Sequence, residues 1–168
     1  MNLKKYFSRS LLIAMVVLLN IGCDQQTKKM AQDTLEPHSR SSYMYDTFQL
    51  QLAKNKGAFL STFAESEGNL RFWVLQFFPV LMLVFLLLYT LFSKQLNNLQ
   101  IIALSFIIGG GISNIIDRLL YGAVTDFMIV GVGNLRTGIF NFADLSIMIG
   151  MVIYLFVNFR QEPKTESL

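Results

Sequence analysis

Two runs of this chain, residues 72–93 and 95–116, contain no charged side chain. At about 1.5 Å of rise per residue, a helix over either run crosses a hydrocarbon layer roughly 30 Å thick. Helices of a soluble core rarely expose so little polarity over such lengths, because one face ordinarily meets water. The rest of the composition agrees. With 53% hydrophobic residues, 15% charged residues and a mean hydropathy of +0.47, the chain reads as a polytopic membrane protein.

Two less uniform runs complete a set of four. Residues 10–23 are uncharged but short, so a first span requires the helix to continue past Asp24. Residues 141–159 carry a single charge, Asp144, near their start. The spans expected are about 10–30, 72–93, 96–117 and 141–159, an all-α bundle of four transmembrane helices. An even count leaves both termini on one side. The pieces on that side hold Lys4, Lys5, Arg9, Lys94, Arg160 and Lys164 against Glu162 and Glu166. The other side carries a nearly balanced mixture over two longer connections, which directs the termini to the cytoplasm.

Of those outer connections, residues 31–71 contain the Pro37-His38-Ser39-Arg40-Ser41-Ser42 loop signal. Alternating segments follow, at Tyr43-Met44-Tyr45 and at Phe48-Gln49-Leu50-Gln51-Leu52. A small extracytoplasmic β-rich insertion is expected there, with Asn55-Lys56-Gly57 as a turn made by residues that tolerate positive φ. Residues 118–140 read as a Gly-rich extracytoplasmic loop, and 160–168 as a polar, disordered cytoplasmic tail. Gly109-Gly110-Gly111 reads as a surface for close helix packing.

One Cys and one His exclude an internal disulfide and a Cys/His metal cluster. His38 lies in a polar loop without a nucleophile-elbow motif, which argues against a serine triad. Neither metal nor cofactor is expected. The net charge of +3 follows from topology, and no basic stripe interleaved with aromatics suggests nucleic acid. Residues 1–23 also have the form of a lipoprotein export signal ending at Cys23. Against that reading, Asn20 stands where an aliphatic residue is normal, and Asp24 and Lys28 keep a helical i, i+4 spacing beyond the cysteine. A retained first helix is the better reading.

Charged and amide residues gather at the edges of the apolar runs, where they are costly enough to mark function by default. Asn114, Asp117 and Arg118 fall at i, i+3 and i+4 at the outer end of the third span. Bracing suits Asp117 better than direct catalysis, and a helix-capping role is the plainer alternative. Asn141 and Asp144 repeat the Asn-x-x-Asp spacing at the start of the fourth span, where a carboxylate also suits the helix dipole. Asp126, between Val124 and Phe127, lies in a segment that can converge with Asp144. Two converging carboxylates do not both ionise freely, so one can act as base on a water and the other as acid. Asn55, Asn114 and Asn141 are candidate donors to a substrate carbonyl. A proton relay in a small transporter is the alternative from another class; a lipoprotein anchored through Cys23 is a third.

The ordered segments Asp24-Gln25-Gln26-Thr27-Lys28, Asn55-Lys56-Gly57-Ala58-Phe59, Gly109 through Arg118, Val124-Thr125-Asp126-Phe127 and Phe140-Asn141-Phe142-Ala143-Asp144 together resemble the lipoprotein signal peptidase (signal peptidase II) family. The resemblance runs from about residue 10 to residue 159. It implies a monomeric aspartic endopeptidase of the bacterial inner membrane, with four transmembrane helices, an outer β-cradle and the active site at the outer face. The implied substrates are lipidated prolipoproteins, cut on the amino side of a diacylglyceryl-modified cysteine beside membrane lipid. Globomycin-type inhibitors would occupy the same groove. The family's catalytic pair falls on Asp126 and Asp144, and its supporting residues on Asp24, Lys28, Asn55, Gly57, Asn114, Asp117, Arg118 and Asn141. The chain departs from the family pattern at Ser113, where glycine is usual, and after Ala58.

Overall fold

The computed structural model describes residues 3–36, 39–57 and 72–160. Four helices in it are long and apolar enough to cross a membrane: α1 (Leu3–Thr34), α2 (Trp73–Phe92), α3 (Asn98–Tyr121) and α4 (Phe142–Arg160). A four-stranded antiparallel sheet, ordered β1-β2-β3-β4, joins them: β1 (Ser41–Tyr43), β2 (Phe48–Asn55), β3 (Val124–Val132) and β4 (Leu135–Arg136). This is the helical bundle with a small sheet that the sequence predicts.

Each helix has a local cause. α1 continues without a break through Cys23, and Lys28 Nζ lies 2.6 Å from Asp24 Oδ2, the i, i+4 pair expected. α2 opens on a π-helical turn, Trp73–Phe77, just before Pro79, which has no N–H to donate to the preceding turn. α3 starts in a capping box, Asn97 accepting from Gln100 N and Gln100 Oε1 from Asn97 N, both at 2.9 Å. It ends at Gly122, whose φ of 68° suits a residue without a Cβ.

α3 is the axis of the bundle. In its most apolar window 61% of residues are buried, against 17%, 11% and 17% in α1, α2 and α4. Its three consecutive glycines explain how three neighbours can approach it, since successive helical residues turn by about 100°. A Cβ on Gly109 would come within 2.8 Å of Asn20 on α1, and one on Gly110 would run into the Ala143 carbonyl of α4. One on Gly111 would lie 2.6 Å from Leu83 on α2. Close packing is thus the role of the triplet, with one glycine for each partner.

The sheet differs from the sequence reading in three places. Residues 118–140 are not simply a loop: they contain the last turn of α3 and the longest strand, β3, which pairs with β2 along most of its length. The β-branched run Val124-Thr125 through Ile129-Val130 carried that signal. β1 stops at Tyr43, because Met44, Tyr45 and Asp46 all take positive φ in the turn to β2. At Asn55-Lys56-Gly57 the chain turns without positive φ: Asn55 Oδ1 accepts from Gly57 N at 3.0 Å, so a side chain stands in for a backbone acceptor. His38, the segment from Ala58 to Arg71 and the tail after Arg160 lie outside the described residues.

Candidate active site

β2, β3, the end of α3 and the start of α4 meet at one end of the bundle. The β2–β3 register sets Ala53 opposite Asp126 and Asn55 opposite Val124, so Asn55 and Asp126 are diagonal neighbours on one face. Asn55 Nδ2 donates to Asp126 Oδ2 at 2.9 Å, and Asn141 Nδ2 donates to Oδ1 at 2.7 Å. Strand alternation sends Thr125 the other way, where its hydroxyl accepts from Gln32 and Lys54, each at 2.8 Å. Thr125 N donates to Asp117 Oδ2 at 3.0 Å.

Asp144 is held by the start of α4. Asp144 N donates to Asn141 Oδ1 at 2.9 Å, and Asn141 N donates back to Asp144 Oδ2 at 3.2 Å, a reciprocal cap with Asp in the third position. Its other oxygen accepts from Asn114 Nδ2 at 2.9 Å. Asn141 therefore touches both carboxylates, Asp126 through its side chain and Asp144 through its backbone.

A second polar layer lies deeper. Lys28 Nζ is 2.6 Å from Asp24, 3.1 Å from Asp117 and 3.1 Å from Asn114 Oδ1, which uses all three of its protons. Asp24 also accepts from Ser113 Oγ at 2.7 Å and Ala143 N at 2.8 Å. Asp117 accepts from Gln25 Nε2 at 2.8 Å. All three charged groups are essentially fully buried. Lys28 donates to Asn114, whose amide in turn donates to Asp144, so this side chain joins the deeper layer to the upper one.

A cavity of about 630 Å³ opens onto this arrangement. Asp126, Asp144, Asn55, Asn114 and Arg118 line its polar end, and Phe140, Leu145 and Met148 contribute apolar wall. Arg118 Nη2 donates to the Gly57 carbonyl at 3.2 Å, tying α3 to the end of β2. Burial lifts the Asp126 carboxyl from 3.8 to about 6, and the neighbouring Asp144 charge adds to the rise. The hydrogen bonds from Asn55 and Asn141 oppose it without cancelling it.

Every site residue singled out from sequence is in or beside this network. Asp126, Asp144, Asn55, Asn114 and Arg118 face the cavity; Asn141 lies between the carboxylates; Asp24, Lys28 and Asp117 sit behind; the Gly57 carbonyl is engaged by Arg118. The amides of Asn55, Asn114 and Asn141 each donate to a carboxylate, Asn141 also to Asn114, while Asn55 and Asn114 line the cavity. Gln25, Ser113 and Arg136 were not among the residues singled out. Gln25 and Ser113 complete the deeper layer, and Arg136 lines the cavity while pairing with Asp46. Spacing within a motif could have pointed to Gln25. Nothing local points to Arg136, which depends on the pairing of β3 with β4.

Fold and site together define a multi-pass membrane protein with a paired-carboxylate centre at one end of its bundle. Residues 16–160 match the Peptidase_A8 family, signal peptidase (SPase) II. The lipoprotein signal peptidase of Janthinobacterium sp. (strain Marseille) is 34% identical, covering 96% of this chain and 98% of the relative. That of Hydrogenovibrio crunogenus is 31% identical over 98% and 95%, and that of Pelodictyon phaeoclathratiforme 37% identical over 80% and 82%. A bacterial membrane enzyme solved by the in meso method at 2.3 Å resolution shares the fold, with a TM-score of 0.73 at 24% identity over 96% of this chain and 94% of that one. The chain belongs to the signal peptidase II family and is a peptidase of the membrane.

Proposed function

We propose that this chain is an aspartic endopeptidase that removes signal peptides from diacylglyceryl-modified prolipoproteins, cutting on the amino side of the lipidated cysteine. The observation that carries the reading is Asn141 bound to both Asp126 and Asp144, two carboxylates that line one cavity. One carboxylate takes a proton from a water held between the pair, and the resulting hydroxide attacks the scissile carbonyl carbon. The other, protonated, gives its proton to the developing oxyanion. Collapse of the tetrahedral intermediate returns a proton to the departing cysteine nitrogen, leaving a peptide carboxylate and a lipidated amino terminus. The pair titrates jointly, so the two roles belong to it as a unit. Burial and the neighbouring acid raise the Asp126 carboxyl to about 6, against the amide hydrogen bonds of Asn55 and Asn141 and the charge of Lys28.

Asp24, Lys28, Asn114, Asp117 and Asn141 serve as positioning residues in this scheme, while Arg118 and Gly57 shape the polar end of the groove. The apolar wall at Phe140, Leu145 and Met148 suits an acyl chain or an apolar signal segment. The reading sets the chain in a bacterial inner membrane with both termini cytoplasmic and the carboxylates toward the outer face, since a lipid-anchored bond is presented only at an interface. Orientation of that bond beside the water supplies the remaining advantage.

The test is cleavage of a purified, lipidated prolipoprotein by the full chain, with and without globomycin. The expected result is one cut before the lipidated cysteine, blocked by globomycin, with no cut in substrate lacking the lipid. Cleavage at another bond, or equal cleavage of unlipidated substrate, overturns the proposal.

A further inference from the structure

A second cavity, of about 450 Å³, lies at the opposite end of the bundle, between the start of α1 and the α2–α3 connection. Arg9 and Lys28 are separated along α1 by about 28 Å of helix, so this cavity is far from the carboxylate pair. Lys5, Arg9 and Lys94 are its charged lining groups, and all three are cations. Asn97 and Asn98, at the start of α3, line it too, so the positive end of that helix dipole adds to the same field.

Arg9 supplies the independent observation. It is 7% exposed, and its Nε donates to the Thr90 carbonyl at 2.7 Å while Nη1 donates to the Ser93 carbonyl at 2.6 Å. Nη2 is buried and has no acceptor among the described residues. Buried guanidinium donors are costly to leave unmatched. Two bonds fix the head group, Nη2 is left over, and Lys5 and Lys94 stand exposed at the rim, where their stems can swing aside. A tetrahedral anion with several acceptor oxygens answers that arrangement better than water or a carbonyl.

We propose that this cavity binds the phosphodiester headgroup of an anionic phospholipid, with a phosphate oxygen accepting from Arg9 Nη2 and others facing Lys5 and Lys94. Phosphate from solution has the same chemistry. Lipid is favoured by location, because the cavity lies at the ends of α1, α2 and α3, where headgroups meet a bundle of this length and acyl chains can follow the apolar surface of α1 and α2. A lipid seated there ties α1 to the α2–α3 connection at the end of the molecule that carries no catalytic group.

Native mass spectrometry of the full chain in neutral detergent tests it, with dioctanoyl phosphatidylglycerol, dioctanoyl phosphatidylcholine and inorganic phosphate as separate probes. The wild type is expected to retain one phosphatidylglycerol in preference to phosphatidylcholine. The exposed-site double variant Lys5→Gln/Lys94→Gln should weaken that binding by about twenty-five-fold, at about fivefold per lysine. Its melting temperature without lipid should match the wild type, so that lost binding is not lost folding. Arg9→Lys, which keeps the charge but not the planar guanidinium, should also weaken it. Equal phosphatidylglycerol binding in the double variant overturns the proposal, as does equal retention of phosphatidylcholine. Inorganic phosphate displacing the lipid at matched concentration overturns lipid as the source of the anion. Binding seen only in Glu162→Gln/Glu166→Gln shows the chain's own acids to be the occupants and overturns it as well.

Discussion

Asp24 with Asp117 and Asp126 with Asp144 are two pairs of acids in one network, all buried but the half-buried Asp144, yet their surroundings differ in kind. The first pair shares Lys28, at 2.6 and 3.1 Å, and accepts from Ser113 Oγ, Thr125 N and Ala143 N as well. The second pair has amides for hydrogen-bonding partners and a cavity in front of it. Amides orient a carboxylate without supplying the charge that would hold it ionised. Lys28 thus sets one pair of acids apart from the other, and the Asn114 side chain is bonded to both layers. Bringing acids into a membrane bundle is costly in either case.

The division is broken most directly at the chemical step. Asp126→Asn and Asp144→Asn should each lower single-turnover cleavage by about 10³-fold or more, with melting temperatures close to wild type. Near-normal turnover in either would mean that the pair facing the cavity is not the reactive one. Lys28→Met is the matching blow to the other pair. It leaves Asp24 and Asp117 buried and uncompensated, at a cost of about 3–5 kcal/mol in stability. Urea unfolding in mixed micelles reads that loss, and an unchanged midpoint would show the deeper layer to be dispensable.

A third consequence concerns pH. Because the Asp126 carboxyl is raised from 3.8 to about 6, the folded chain holds this proton more tightly than the unfolded chain does. The stabilisation is fully present below 3.8 and is lost as pH rises through about 6. A shift of that size corresponds to about 3 kcal/mol. Unfolding free energy measured from pH 3.5 to 7 should therefore fall in the wild type relative to Asp126→Asn, which carries no such proton. Parallel curves would remove burial of Asp126 as the distinguishing feature of the cavity-facing pair.

The charge-free runs made the helices legible, since a helix in lipid satisfies its own backbone and needs only apolar length. The i, i+4 spacing of Asp24 and Lys28 made their pairing legible, because a local contact needs no knowledge of the fold. β3 was harder. Its nine residues sit between a helix end and a glycine-rich hairpin, and Gly131 and Gly133 obscured the β-branched run. Asp126 was consequently placed in a loop, whereas its aim comes from strand alternation and from the β2–β3 register. The destinations of the asparagine amides could not be read at all. Whether Asn141 faces a substrate or a carboxylate depends on β3 and α4 meeting, which links residues of different elements through tertiary packing alone.

Ser113 offers the finest probe of the division, because it belongs to the deeper layer and stands where the resembling family usually has glycine. Its hydroxyl donates to Asp24 Oδ2 at 2.7 Å and accepts from Gln25 at 3.0 Å, and it is fully buried. Ser113→Ala keeps the helix and removes both hydrogen bonds, of which the one to charged Asp24 dominates at about 1.5 kcal/mol. Asp24 would retain Lys28 and Ala143 N, and Gln25 would retain Asp117, so no acid is stranded. Stability should fall by about that amount while single-turnover cleavage stays within about twofold of wild type. If instead the rate falls with stability unchanged, the serine acts on the cavity-facing carboxylates, and the two layers are one catalytic unit coupled through Asn114.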